Sequence, residues 1–541
     1  LFFCTMPSTR RLFLKTGATV TAAAALTQVV MPRPLLASLR GRPEPVPSIQ
    51  DPRLKELVQR AIDVAIQSGA QYADVRLTHD RLRTIQPKNI YEKEAMTVGV
   101  RTLVDGYWGF SSSSIWSSDE MVRLAKESVT QAQTNALGKF RDINLAPRNR
   151  VDNGHWVMPV KIDPFVVHPA EIMDCLSGLS NYIDRIPEFR VIQNVCSTYH
   201  QEKAFGASDG SYFTQCTYRT GGELKIEHKS GLRADVEGIQ PSSIGWELYT
   251  DQPIRSYVDR TIEELREDSK LSIKPIDVGR YDTVLSAHAI GNIISGSIGA
   301  ATELDRALGY EANAVGTSYL NEPLEMLGQY KLGTSLLNVS ATRNSPGGLA
   351  WVRWDDEGVE PESFQLVKEG IVVGFQTTRE SAAWLQSANS GSLRVPFKSS
   401  GCAVAPRADD APLTHTPDLI IHPGTENIDY NDLVSSLPAG IAFSSLNVDM
   451  DFQQLNGFGN GGGRVYEIKN GKKVALLSGA GILFRSPEFW KKISMLGGEK
   501  GAQRIPCEGK KGQPRQVTYH SVMAVPCLVK ELSIIDIKRK A

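Results

Sequence analysis

From Tyr281 to the C-terminus, Gly and Asn-Gly steps cut the chain into short β-prone runs, and this punctuation constrains the fold more than any other feature. "GRVYEIKNGKKVALLSG" is the clearest case. Its two runs meet at Asn470-Gly471, the pair a two-residue hairpin favours because both central residues need positive φ. The region 280–535 therefore predicts a large, mainly antiparallel β domain. Ahead of it the patterning changes. Asp51-Pro52 is an N-cap followed by proline at the first helical position, and Leu54, Leu57, Val58, Ala61, Ile62 and Ala65 recur at helical spacing up to Gly69. "AMTVGVRTLV" and "YWGFSS" flank Asp105-Gly106 as a second hairpin, and Ser117 with Glu120 forms a capping-box pattern before another helix. These elements predict a small α/β domain over 51–137.

A middle α+β domain is expected over 160–275. "FRVIQNVCSTYH" and "SYFTQCTYRT" read as antiparallel strands around Asp209-Gly210, closed by the helix "IRSYVDRTIEELREDSKL". The overall class is α+β, and 541 residues are too many for a single core. Lys plus Arg and Asp plus Glu are both 60, so the chain lacks the basic excess of a nucleic-acid binder.

The first 37 residues read as a twin-arginine export signal: Arg10 and Arg11, then Leu12-Phe13-Leu14, then a weakly apolar Ala/Thr-rich stretch ending in "LLA" at Ala37. Translation is expected to start at Met6, 38–50 to be a proline-spaced linker, and the mature protein to be periplasmic with no membrane span. The seven cysteines show no CxxC and no regular spacing, which argues against a disulfide framework or a Cys-only zinc site.

Several motifs reduce to structural readings. Gly457, Gly459 and Gly462 satisfy G-x-G-x-x-G, but a hairpin rather than a helix follows, so they predict a tight loop and no dinucleotide site. Asp355, Asp356 and Glu357, beside Gly358 and Pro361, predict a solvated turn. Cys507 and His520 admit a thiol–imidazole pairing, although sequence separation carries no distance.

The stretch "GNIISGSIGAATELDRALGYEANAVGTSYL", 291–320, resembles the core signature of the TldD/PmbA metallopeptidases. "WDDEGVEPESFQLVKEGIVVGFQTTRE", "GGRVYEIKNGKKVALLSGAGILFRSPEFWKKI" and "CEGKKGQPRQVTYH" agree with that family in order and spacing, and the resemblance spans roughly 50–535. It implies an H-E-x-x-x-H sequence ahead of the signature, with two zinc histidines, a glutamate that activates water and a distant cysteine. Those roles fall on Ser295, Ala300, Gly296 and Cys507, and only the cysteine keeps its type. Catalytic zinc needs three protein ligands and an open position, and its water needs a base. The expectation is thus a peptide-binding member that lacks a bound cofactor, implied to be dimeric, with a metal-bearing homologue as a candidate partner. The alternative is an active zinc peptidase with a shifted ligand set, for which His288, Glu303 and Asp305 are the nearest donors. The intact signature residues Glu303, Leu304, Asp305 and Arg306 are expected to tie the fold together.

Overall fold

The computed structural model describes residues 49–138, 141–388 and 398–539; the expected export signal with Arg10 and Arg11, and most of the expected linker, lie outside them. Helix α1 (Pro52–Gln67) starts where expected: Asp51 accepts the Arg53 amide at 2.9 Å, and proline occupies the first turn. Its buried Leu54, Val58, Ala61, Ile62 and Ala65 pack with Met121, Leu124, Ala125 and Val129 of α2 (Ser118–Ala136), which Ser117 caps through the Glu120 amide. Both helices cover one end of a seven-stranded sheet.

In that sheet β1 (Tyr72–Gln86) pairs with β2 (Asn89–Val104) on one side and β5 (Phe189–Ala207) on the other. The order is β3 (Tyr107–Ser113), β2, β1, β5, β6 (Tyr212–His228), β4 (Gly154–Val157), with β7 (Arg233–Asp235) also on β6. The segments 51–137 and 160–275 therefore share one continuous sheet. The expected hairpins are present, with Val104 opposite Tyr107 and Gly206 opposite Tyr212. Helices α3 (Pro169–Asp184) and α4 (Ile254–Asp268) cover the other end of the sheet through Ile172, Leu176, Val258 and Leu265.

The remaining chain forms two large sheets and a small two-stranded pair. A six-stranded sheet runs in the order Ile371–Val372, Phe364–Lys368, Val339–Thr342, Asp418–Ile421, Gln516–Ala524, Gln503–Lys511. A ten-stranded sheet begins at Asn447–Met450, continues through Gly457–Asn460 and Ala480–Phe484, and ends at Ser272–Pro275. Pairing is mostly antiparallel; the contacts of 418–421 with 516–524, 439–443 with 279–285 and 472–478 with 272–275 are parallel. One core joins both sheets, with Leu419 and Val522 from the first and Phe443, Ile482 and Ile534 from the second. It also encloses Ile290, Ile293 and Ile294 of α5 (Ala287–Ile294).

Two sequence expectations fail. Gly457 and Gly459 lie in a strand rather than a loop, paired with Met450 and Val448 on one side and with Phe484 and Ile482 on the other. A Cβ on Gly457 would come within 2.0 Å of the Phe484 ring, so glycine is needed there for close approach. Asp355, Asp356 and Glu357 are likewise not solvated: they are 1%, 4% and 2% exposed. Asp356 accepts from Lys203 Nζ at 2.6 Å and from the Ala405 amide, while Glu357 accepts from Arg101 at 3.1 Å and from the Arg379 amide at 2.7 Å. Asp355 accepts the amides of Glu357, Val359 and Ala403. Arg101 also grips buried Asp74, which in turn holds Arg76. The acidic turn thus plugs into cations of the seven-stranded sheet that are remote in sequence.

A buried ion that loses its partner retains its desolvation penalty. Lys203→Met should therefore destabilise the chain by about 3–5 kcal/mol in urea unfolding, and adding Asp356→Leu should recover part of that loss.

Candidate functional site

Helix α5 does not continue as regular helix. Ser286 caps its start through the Ala289 amide, and after Ile294 the backbone widens into a π turn over Ser295–Gly299, then tightens to a 3-10 turn over Ala300–Thr302. Such widened turns commonly occur where a helix presents groups to a site. Here the burial alternates accordingly: Ser297, Ile298 and Gly299 face the core, whereas Ser295, Gly296 and Ala300 are partly open. The three positions that resemble the zinc histidines and glutamate thus share the accessible side of one turn.

Ser295 Oγ shares a hydrogen bond of 2.9 Å with Nε2 of His520, a ring only 1% exposed. His520 stands opposite Cys507 in the pairing of Gln503–Lys511 with Gln516–Ala524. Cys507 Sγ lies 3.8 Å from the Gly291 carbonyl oxygen and 3.9 Å from Asn292 Oδ1. Burial pushes the Cys507 thiol up to about 12, with Ser295 pulling weakly the other way, so the sulfur is a neutral thiol near pH 7. Burial holds His520 down to about 4, so its ring is neutral as well, and its Nδ1 has no hydrogen-bond partner among the described residues. At Gly296 a Cβ would approach Met450 Cε at 2.8 Å and Cγ at 2.9 Å; methionine fills the room a longer side chain would need.

Ser295, Cys507 and His520 cluster, but among the described residues no three His, Cys, Asp or Glu side chains bring their ligand atoms within 4.8 Å of one another at this place. One imidazole and one thiol fall short of the three-ligand set that catalytic zinc requires. The donor set does not fit the metal. The alternative donors are elsewhere or engaged. His288 is one residue past the start of α5; burial lowers its pKa, and the carboxylate pulling against that is Asp235 of the seven-stranded sheet. Glu303 and Asp305 both accept from the Lys511 ammonium, at 2.9 and 2.6 Å, with Lys511 only 2% exposed.

The signature residues form a second layer beneath the turn. Glu303 also accepts from the Thr416 amide and hydroxyl, at 3.1 and 3.0 Å. Arg306 donates to the carbonyls of Thr317 at 2.9 Å and Val315 at 2.6 Å, and Leu304 is fully buried. Glu311 accepts the Gly512 amide. Sequence reasoning overlooked Lys511 and Met450. Period-two counting from Cys507 through Gly509 would have put Lys511 on the same inward face. Nothing local marked Met450, 154 residues from Gly296. Beyond Ala307 a cleft of about 880 Å³ opens, lined by Leu308, Tyr319, Tyr330 and Phe452 among others, and the Tyr319 hydroxyl donates to the Ser297 carbonyl.

Residues 278–535 match the model of the PmbA/TldA metallopeptidase C-terminal domain, and residues 86–132 match that of the PmbA/TldA metallopeptidase domain 1. The chain belongs to the TldD/PmbA family. A metalloprotease of Methanocaldococcus jannaschii is 22% identical over 469 residues, covering 83% of this chain and 96% of that protein. A zinc metalloprotease TldD homolog of Saccharolobus solfataricus is 21% identical, over 62% of this chain and 71% of its own. In fold, the chain is similar to TldE from Thermococcus kodakarensis, with a TM-score of 0.66 at 11% identity, covering 88% of this chain and 99% of that one. A protein of Thermotoga maritima described as a putative modulator of a DNA gyrase gives 0.65 at 13% identity, over 89% and 100%. This TldD/PmbA member thus shares its architecture with solved relatives along almost their entire length.

The neutral His520 has a consequence for acid stability. Its folded pKa is lowered from 6.5 to about 4, so its contribution is complete above 6.5 and is lost as pH falls through that window, where the unfolded chain takes up the proton first. His520→Gln should flatten the decline in urea midpoint between neutral pH and about pH 4; a slope equal to that of the unmodified chain would show that the buried ring does not titrate this way.

Proposed function

We propose that this TldD/PmbA-family metalloprotease homologue binds unfolded peptide segments without hydrolysing them through zinc at the family position. The observation that carries the reading is the Ser295–His520 hydrogen bond beside Met450-filled Gly296: a neutral pair occupies the place of the ligands, and apolar bulk occupies the place of the base. Without a metal, the pKa of water stays far above neutrality, and no carboxylate at 296 is available to take its proton.

Peptide binding needs neither group. Asn447–Met450 and Gln503–Lys511 are terminal strands of their respective sheets; the first meets the turn through Met450 at Gly296, and the second packs on the preceding helix α5 through Ile505 at Gly291. A terminal strand offers unpaired backbone groups to an extended chain. The cleft lined by Tyr319, Tyr330 and Phe452 supplies apolar surface next to it. We take the chain to act in the periplasm after twin-arginine export, directed by Arg10 and Arg11, and to pair with a metal-bearing homologue that performs the cleavage. No helix among the described residues is long and apolar enough to cross a membrane.

The test uses the purified chain with fluorescein-labelled, unfolded casein. Anisotropy should report binding that persists in the presence of a chelator, and no peptides should be released with zinc added. Zinc-dependent release that disappears on Cys507→Ala would overturn the reading in favour of a shifted ligand set.

A further inference from the structure

His200 and Glu202 project from the same face of β5, two residues apart, and Cys216 stands directly opposite Glu202 on β6. A ring nitrogen of His200, a carboxylate oxygen of Glu202 and the sulfur of Cys216 all lie within 4.8 Å of one another. His200 is 7% exposed and Cys216 6%. Neither nitrogen of the His200 ring has a hydrogen-bond partner among the described residues. A buried polar ring left in that condition keeps an uncompensated desolvation cost, so the fold bears a penalty that a ligand on this ring would relieve.

The surroundings already orient the set. The Tyr218 ring stacks on His200 with centroids 4.4 Å apart and planes 23° from parallel, which fixes the imidazole plane. Glu202 shares a 2.9 Å hydrogen bond with Nδ1 of His79, whose Nε2 contacts Glu94 at 2.5 Å. A ligand carboxylate held by an outer partner is the usual support of a metal site. The Glu202 side chain keeps 20% exposure, giving a path from solvent.

We propose that His200, Glu202 and Cys216 form a binding site for a zinc-class divalent cation, built by β5 and β6 alone and using neither the Ser295–Gly299 turn nor Cys507. The mixed nitrogen, oxygen and sulfur donors select zinc, cobalt or iron(II) over magnesium and calcium, which prefer all-oxygen shells. Binding exchanges the Cys216 S–H bond for a sulfur–metal bond, and the proton passes to solvent. Three protein donors leave a fourth tetrahedral position for water.

Cobalt(II) titration of the tag-free, chelator-stripped full chain tests this. One cobalt per chain should give a thiolate-to-metal charge-transfer band in the near ultraviolet that added zinc displaces. Cys216→Ser should abolish the band, His200→Phe, which keeps the stacking, should weaken binding at least about tenfold, and Cys507→Ser should leave the band intact. In the unmodified chain zinc should raise the thermal midpoint, a readout that stands even if Cys216→Ser fails to fold. No cobalt uptake, a band that survives Cys216→Ser, or one that vanishes on Cys507→Ser would each overturn the site. The Cys216 and Cys507 arms keep this outcome separate from the peptide-binding reading.

Discussion

The arrangement of the candidate site rests on the Lys511 ammonium, buried between the carboxylates of Glu303 and Asp305. Two anions side by side in a desolvated region repel each other, and one cation between them is the minimum that makes the burial tolerable. Burial alone would favour neutral groups; the attraction of Asp305 and Glu303 outweighs it, and Lys511 ends with a raised pKa. The geometric effect matters as much as the energetic one. Lys511 lies on the terminal strand that carries Cys507, and its partners follow directly on the turn that carries Ser295 and Ala300. The triad therefore fixes the distance between the two halves of the site. The signature residues are thus fully engaged in holding the backbone.

The backbone patterns were legible to the extent that they were local. Asp51-Pro52, Asp105-Gly106, Ser117 and Asn470-Gly471 each contain the whole reason for a helix start or a turn, and the structure places those features where the residues indicate. The glycines from Gly457 misled because their role is set by a distant ring, Phe484, rather than by their own conformational freedom. The acidic run misled for the same reason. Its turn-forming neighbours were visible, whereas Lys203 and Arg101 lie more than 150 residues earlier. Charge in a sequence implies solvent only until a counter-charge is brought to it by the fold.

At the site, sequence supplied the identities and the fold supplied the partners. That Ser295, Gly296 and Ala300 share an open side follows from the helical period, but the π turn that splays them was not readable from small residues alone. His520 entered the sequence reading as a partner for Cys507, and the structure gives its hydrogen bond to Ser295 instead. The cross-strand pairing still brings both side chains to one place.

The plugging of Asp355–Glu357 into Lys203, Arg101 and their neighbours also bears on how the chain can be divided. Severed near residue 275, the N-terminal half would keep its sheet but leave desolvated guanidinium and ammonium groups facing an empty socket. Such a fragment has its own fold on paper and an unanswered charge in practice. The architecture thus resembles a key already turned in its lock: the two portions share buried ion pairs, and neither is a freely portable module.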